Sequence, residues 1–231
     1  GGAAPVGVLD AIGVPAVLRR EGVATALLKG LELALSGRGV RELRTQAEWT
    51  EHGIAAFFST TGFRLSPHVV LERSLERPPA DELPGEQLPV RSMAMQDLPA
   101  VVRLDRRITG RDRTAYLTRK MREALGPSVL RVSLVAEVER QFAGFLMARV
   151  DFGEFGRTEP TAILDTLGVD PAFAGKGVGR ALVGQLLRNL GSLRTERVVT
   201  EVEWNHLPLL GFLGSAGFTH SQRLAFQKAI G

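Results

Sequence analysis

The sequence predicts an α/β fold, a mixed sheet flanked by helices, built as one complete unit preceded by the C-terminal half of another. Three observations carry this expectation. Residues 8–75 align without a gap on residues 163–230 at a constant offset of 155, with seventeen identities in 68 pairs that include Leu9/Leu164, Asp10/Asp165, Gly22/Gly177, Thr45/Thr200, Trp49/Trp204 and Gly62/Gly217. That is several times the roughly one in fifteen that average composition gives by chance, so the two segments should share a fold. Between the copies, residues 76–89 hold four prolines, a glycine and four acids, which suits neither a helix interior nor a central strand. In the second half, helical and strand periodicities alternate, the pattern of a sheet with flanking helices.

Taken in order, residues 97–107 and 114–125 read as helices, the second stopped by Gly126-Pro127. Residues 129–138 and 142–150 are β-rich runs joined over 139–141, hence a hairpin. A third strand covers 161–169 after the glycine-bearing loop 151–160. Leu182, Val183, Leu186, Leu187 and Leu190 mark the apolar stripe of a helix over 178–193. Val198, Thr200, Val202 and Trp204 line one face of a strand over 197–204. A short helix over 207–216 stopped by Gly217 and a strand over 224–230 close the unit. The order is α-α-β-β-β-α-β-α-β. The domains expected are an incomplete unit over 1–77, a proline-rich linker over 78–88 and a complete unit over 89–231. Residues 88–162 have no counterpart before residue 8, and the chain opens on Gly1-Gly2, so the sequence reads as part of a longer protein with two full units.

Composition narrows the function classes. Apolar residues at 44% and charged residues at 23% describe a globular chain with material for a core. There is no apolar run of ~18 residues and no signal-peptide pattern, which implies a cytoplasmic protein that does not enter a membrane. The absence of cysteine excludes disulfides, a thiolate metal site and a cysteine nucleophile. His52, His68, His206 and His220 are dispersed, so no metal is expected. Among 29 basic residues only Lys29, Lys120, Lys176 and Lys228 are lysine; the net charge is +4 and the arginines are interspersed with acids, so a nucleic-acid surface is disfavoured.

The strongest local signal is Ala174-Gly175-Lys176-Gly177-Val178-Gly179-Arg180, glycines immediately before an amphipathic helix. Backbone N–H groups there can approach a phosphate unobstructed, and the helix N-terminus favours an anion. The spacing is neither the dinucleotide fingerprint nor a Walker loop. A tight strand-to-helix turn is the alternative reading.

Preceded by Leu167-Gly168-Val169-Asp170-Pro171, this loop resembles the acyl-CoA motif of the GCN5-related N-acetyltransferase (GNAT) superfamily, R/Q-x-x-G-x-G/A after a strand. In the first copy, Ile12-Gly13-Val14 followed by Arg19-Arg20-Glu21-Gly22-Val23-Ala24 is similar, and Asn205 with the Gly217-Phe218 stop looks like a further block of the superfamily. The resemblance implies an acetyl-CoA-dependent N-acetyltransferase acting by direct attack in a ternary complex, with acetyl-CoA as co-substrate. Leu167, Gly168 and Val169 would meet the pantetheine arm, and the Leu167 N–H would polarise the thioester carbonyl. The amides of Gly175, Lys176, Gly177, Val178, Gly179 and Arg180 would hold the pyrophosphate, with Asn205 beside the pantetheine. Arg19, Gly22 and Ala24 would do the same in the first copy.

Two positions depart from the pattern. Ala174 stands where arginine or glutamine is usual, and Leu213, with Phe58 in the first copy, stands where many members carry a tyrosine acid. A catalytically silent CoA-binding module is therefore the alternative. For a base the candidates are Asp165, then Glu203 or Glu201, with His206 for proton transfer. Trp49, Trp204, Phe57 and Phe212 are expected in the core. Arg111, Arg113 and Tyr116 fall where the superfamily's helices border the acceptor, implying an amine of small-molecule or peptide type with an acidic or phosphate group. A homodimer is left open. The first copy, lacking an acceptor side, is expected to be silent in catalysis.

Overall fold

A computed structural model describes residues 5–75, 88–126, 130–152 and 160–231; the expected linker up to residue 87, and residues 127–129 and 153–159, lie outside them. The strands are β1 (Val6–Leu9), β2 (Glu42–Glu48), β3 (Arg64–Leu65), β4 (His68–Ser74), β5 (Val90–Ser92), β6 (Leu134–Val138), β7 (Gln141–Asp151), β8 (Thr161–Val169), β9 (Arg197–Glu203), β10 (Thr219–His220) and β11 (Arg223–Ala229). The α-helices are α1 (Val23–Ser36), α2 (His52–Thr60), α3 (Leu98–Thr109), α4 (Thr114–Ala124), α5 (Val178–Ser192) and α6 (Leu207–Ser215). The α/β class and the mixed sheet with flanking helices agree with expectation, and the two copies carry matching elements.

The sheets, however, do not follow the boundary between the copies. One has the order β1-β2-β11-β3, the other β10-β4-β9-β8-β7-β6-β5. The last strand of each copy thus pairs in the sheet of the other, and division at the linker would remove an interior strand from each. The exchange is reciprocal down to single bonds. Trp49 N–H donates to Gln222 O (2.9 Å) and Trp204 N–H to Pro67 O (3.0 Å); Ser66 N–H donates to Ala225 O (2.8 Å) and Ser221 N–H to Val70 O (2.9 Å). All of these are pairs of repeat mates. The mates Arg73 and Lys228 do the same with side chains: Arg73 donates to Ala216 O beside Gly217, and Lys228 passes 3.5 Å from the Cβ position of Gly62 while pairing with Glu32 at 2.5 Å.

Two compact units result. Among the described residues the larger holds Leu71–Glu201 and Pro208–Thr219; the smaller holds residues 5–70 with Val202–Leu207 and His220–Gly231. In the smaller, Leu28, Leu43, Phe58, Phe63 and Phe226 form the core. In the larger, α3 and α4 pack on one face of the sheet through Val101, Leu104, Leu117 and Met121 against Phe145 and Met147, while α5 buries Leu182, Leu186 and Leu190 completely. The repeat mate of Leu182, Leu27, is 53% exposed, and beside it a groove of about 240 Å³ runs along Leu9, Ile12 and Leu31.

Two further expectations differ in place. Of the run predicted as a strand over 129–138, residue 129 lies outside the described residues and the strand begins at Leu134. Trp49 and Trp204 are not core residues but are 54% and 63% exposed. They keep the parity of the buried Val198, Thr200 and Val202 yet stand one step past the ends of β2 and β9, where the packing of that face has run out.

Candidate active site

The geometry begins where two parallel strands part. β8 pairs with β9 only over Thr161–Ile163 against Arg197–Val199. At the divergence Thr200 Oγ1 donates to Leu164 O (2.9 Å), and in the first copy its mate Thr45 donates to Leu9 O (2.8 Å). On the other side β8 stays paired with β7, but Thr166 faces Met147 and Leu164 faces Ala148, so Asp165 is the extra residue of a β-bulge. Asp170 N–H donates to Ala143 O (2.8 Å). Because amide directions alternate along an antiparallel strand, Gly168 and Thr166 also face β7, and the N–H groups of Leu167 and Val169 point to the open edge. Gly168 is buried, with Leu167 and Val169 half-buried around it.

The chain then enters a 3-10 turn, Pro171–Phe173, whose N-cap Asp170 accepts from Ala172 N–H (3.0 Å) and from Arg107 (2.5 Å). The Ala172 amide first, then Arg107, holds this carboxyl below its ordinary pKa. Gly175 and Gly177 follow at φ 76° and 80°, conformations that only glycine adopts without strain, and a Cβ on either would meet nothing within 4 Å. That space over the N-terminus of α5 is what an anion needs. Lys176 N–H is turned onto Phe173 O (3.2 Å), and Ala181 N–H makes the bond to Gly177 O (2.9 Å). The amides of Gly177, Val178, Gly179 and Arg180 are those that precede it at the helix start. Lys176 and Arg180 are exposed, the former 5.1 Å from the Phe173 ring centre. α5 is seated by Gly144, where a Cβ would come 2.9 Å from Val178, and by Phe212, 3.2 Å from the Cβ position of Gly179.

The first copy repeats this backbone. Ala16–Leu18 is a 3-10 turn, Arg20 and Gly22 sit at φ 69° and 79°, and α1 starts at Val23. Arg19 is exposed, and Ala24 stands in the first turn of the helix.

The remaining site residues separate into groups. Asp165 is engaged: both carboxylate oxygens accept from Arg149 Nη1 at 2.6 Å, and Lys120 Nζ lies 3.6 Å away. It is a paired carboxylate at a bulge. Arg113 donates from Nε to Asp105 at 2.9 Å, a carboxylate whose side chain is only 4% exposed, and lies 5.5 Å from the Tyr116 ring centre. This bond to Asp105 raises the arginine's pKa. Arg111 is exposed, and Tyr116 is half-buried between Arg113 and Arg119. Glu203, the last residue of β9, and Asn205 and His206 on the exposed turn that follows it fall in the smaller unit, and His206 N–H donates to Glu203 O (2.9 Å). Leu213 is 1% exposed and Phe58 2%, so both positions are core. Sequence reasoning missed Arg149, Lys120 and Arg107; it recorded the identity Thr45/Thr200 without its role at the fork. Among the described residues no group of three His, Asp or Glu side chains is placed to hold a metal, and no helix is long and apolar enough to cross a membrane.

The model of the Acetyltransferase (GNAT) family matches residues 99–218, more than half the chain, and spans α3 through the Gly217-Phe218 stop. The chain belongs to the GNAT acetyltransferase family. Its members are N-acetyltransferases that use acetyl-CoA. Among solved structures, a tandem GNAT protein from the clavulanic acid biosynthesis pathway, without acetyl-CoA, is similar at TM-score 0.68 and 18% identity, over 99% of this chain and 76% of that one. A GNAT protein from Sphaerobacter thermophilus is similar at TM-score 0.59 and 18% identity, over 94% and 71%. An aminoglycoside N-acetyltransferase in complex with CoA is similar at TM-score 0.51 and 17% identity, over 58% and 89%. At these identities the likeness is one of fold, and it supports the tandem reading of the repeat. A search of curated proteins gave no match.

Proposed function

We propose that the second copy transfers an acetyl group from acetyl-CoA to the amine of a small-molecule or peptide acceptor by direct attack in a ternary complex. The observation that carries this reading is the combination of an open strand edge at Leu167–Val169 with a loop whose glycines leave space over a helix N-terminus. In this reading the pantetheine arm adds along β8, and the Leu167 N–H meets the thioester oxygen, where it stabilises the charge that develops as the amine attacks. The amides from Gly177 to Arg180, with Lys176 and Arg180, take the pyrophosphate. The C–N bond forms, the C–S bond breaks, and the proton lost by the amine ends on the thiolate of CoA. The candidates for moving that proton are Asp165 first, then Glu203 and His206. Arg111 and Tyr116 border the acceptor, which carries an acidic or phosphate group.

A second reading, a CoA-binding module without turnover, is favoured by one observation: the position of the usual tyrosine acid is filled by Leu213 inside the core. A thiol-release assay with the pure protein against amines, peptides and aminoglycosides separates the two. Acceptor-dependent release of CoA is expected; saturable acetyl-CoA binding with no release for any acceptor class would favour the passive module.

A further inference from the structure

Asp170 is the junction of four contacts at the entrance to the cofactor loop. Its N–H donates to Ala143 O, its carbonyl accepts from Phe173 N–H (2.8 Å), one carboxylate oxygen accepts from Ala172 N–H and the other from Arg107. Two of these shape the turn and one ties it to β7; the fourth reaches to the last turn of α3. The turn itself does not require the carboxylate. In the first copy the mate of Asp170 is Pro15, and the same 3-10 turn forms there, with Leu18 N–H donating to Pro15 O (2.9 Å) and the following αL residues in place. Pro15 itself has no side-chain group that could make the fourth contact.

The last turn of α3 also touches the strand before the loop. A Cβ on Gly168 would come 3.2 Å from Ile108 Cδ1 and 2.7 Å from the Phe145 ring, so Ile108 rests on β8 between the two residues whose amides face the open edge. Consecutive residues of one helical turn, Arg107 and Ile108, therefore bear on the loop entrance and on the strand.

We propose that Arg107 is a positioning residue for acetyl-CoA, which through Asp170 clamps the acceptor-side helix α3 to the entrance of the pyrophosphate loop and fixes the loop against β8. The proposal rests on the reading of this loop as the acetyl-CoA site. The Arg107 side chain is 62% exposed and that of Asp170 12%, so the arginine can be removed without opening the core, and the pair acts on loop position more than on global stability.

The test is calorimetric binding of acetyl-CoA to the full chain, comparing wild type with Arg107→Ala, Asp170→Asn, the double variant and Arg107→Lys. Asparagine still caps Ala172 but no longer pairs with the guanidinium. Each single variant is expected to weaken binding about fivefold, the double variant no further than either single, and lysine to recover part of the loss, with melting temperatures of the free proteins unchanged. Unchanged affinity in both single variants would overturn the proposal. So would losses that add in the double variant, since Arg107 would then meet the ligand directly and not through Asp170. A wild-type protein that binds no acetyl-CoA would instead remove the reading of the loop and the proposal with it, which keeps the two failures apart.

Discussion

At the loop, a side chain on Gly177 would project into the space assigned to the pyrophosphate. Gly177→Glu is expected to abolish acetyl-CoA binding, because it adds a carboxylate where an anion must sit and strains a φ of 80°. Gly177→Ala carries the strain without the charge and should retain measurable affinity, so thermal shift with acetyl-CoA on both variants separates the two effects. Arg113 and Arg111 part company in the same way. Arg113→Ala would leave the buried Asp105 without its partner, at a cost of about 3 kcal/mol in denaturant unfolding. Arg111→Ala should leave stability unchanged and raise the acceptor KM alone, and an unchanged KM would return Arg111 to the ordinary surface. The glycines were legible in the sequence because a tight strand-to-helix passage demands positive φ, which few other residues supply. The engagement of Asp165 was not. Its partners Arg149 and Lys120 come from a neighbouring strand and from a helix, and the bulge that directs its carboxylate is set by register, which periodicity does not reveal.

Helices and strands were readable from spacing, yet their pairing was not. β4 and β11 are repeat mates with one pattern, and the sheets they enter are built from repeat mates as well, so in-copy and exchanged pairing carry the same local signature. The exchange has a definite consequence. A fragment from Pro78 onward lacks β4, an interior strand between β9 and β10, and leaves β11 without β2; it is expected to be insoluble or to show no cooperative melt by circular dichroism. A soluble, cooperatively folded fragment would contradict the exchanged topology. A second element-level contact is pH-sensitive. Arg91 on β5 donates to both oxygens of Asp97 (2.9 and 2.8 Å), which also accepts from Ala94 N–H (2.8 Å) at the start of α3. The guanidinium first, then the Ala94 amide, holds the Asp97 carboxyl below its ordinary value. A depressed carboxyl contributes stability that is present above its unfolded pKa of ~3.9 and is lost as pH falls through the folded value. Melting temperature should therefore fall on acidification below about pH 4, and Asp97→Asn should be less stable at neutral pH but lose less over that range.

Over the whole molecule, one fold pattern appears twice with unequal equipment. Both copies have the fork threonine and the αL-αL loop before a helix. Only the second carries Lys176 and Arg180, whose mates in the first copy are Glu21 and Thr25. The proposal of catalysis in the second copy therefore goes with an expected weaker anion site at Arg19–Ala24, where Glu21 replaces the lysine. Its most direct test is calorimetric titration of acetyl-CoA into the intact chain. The account predicts saturable binding with one tight site per chain, any second site being weaker and surviving Gly177→Glu while the tight one is lost. Absence of binding at millimolar acetyl-CoA, or a tight site indifferent to Gly177→Glu, would contradict it.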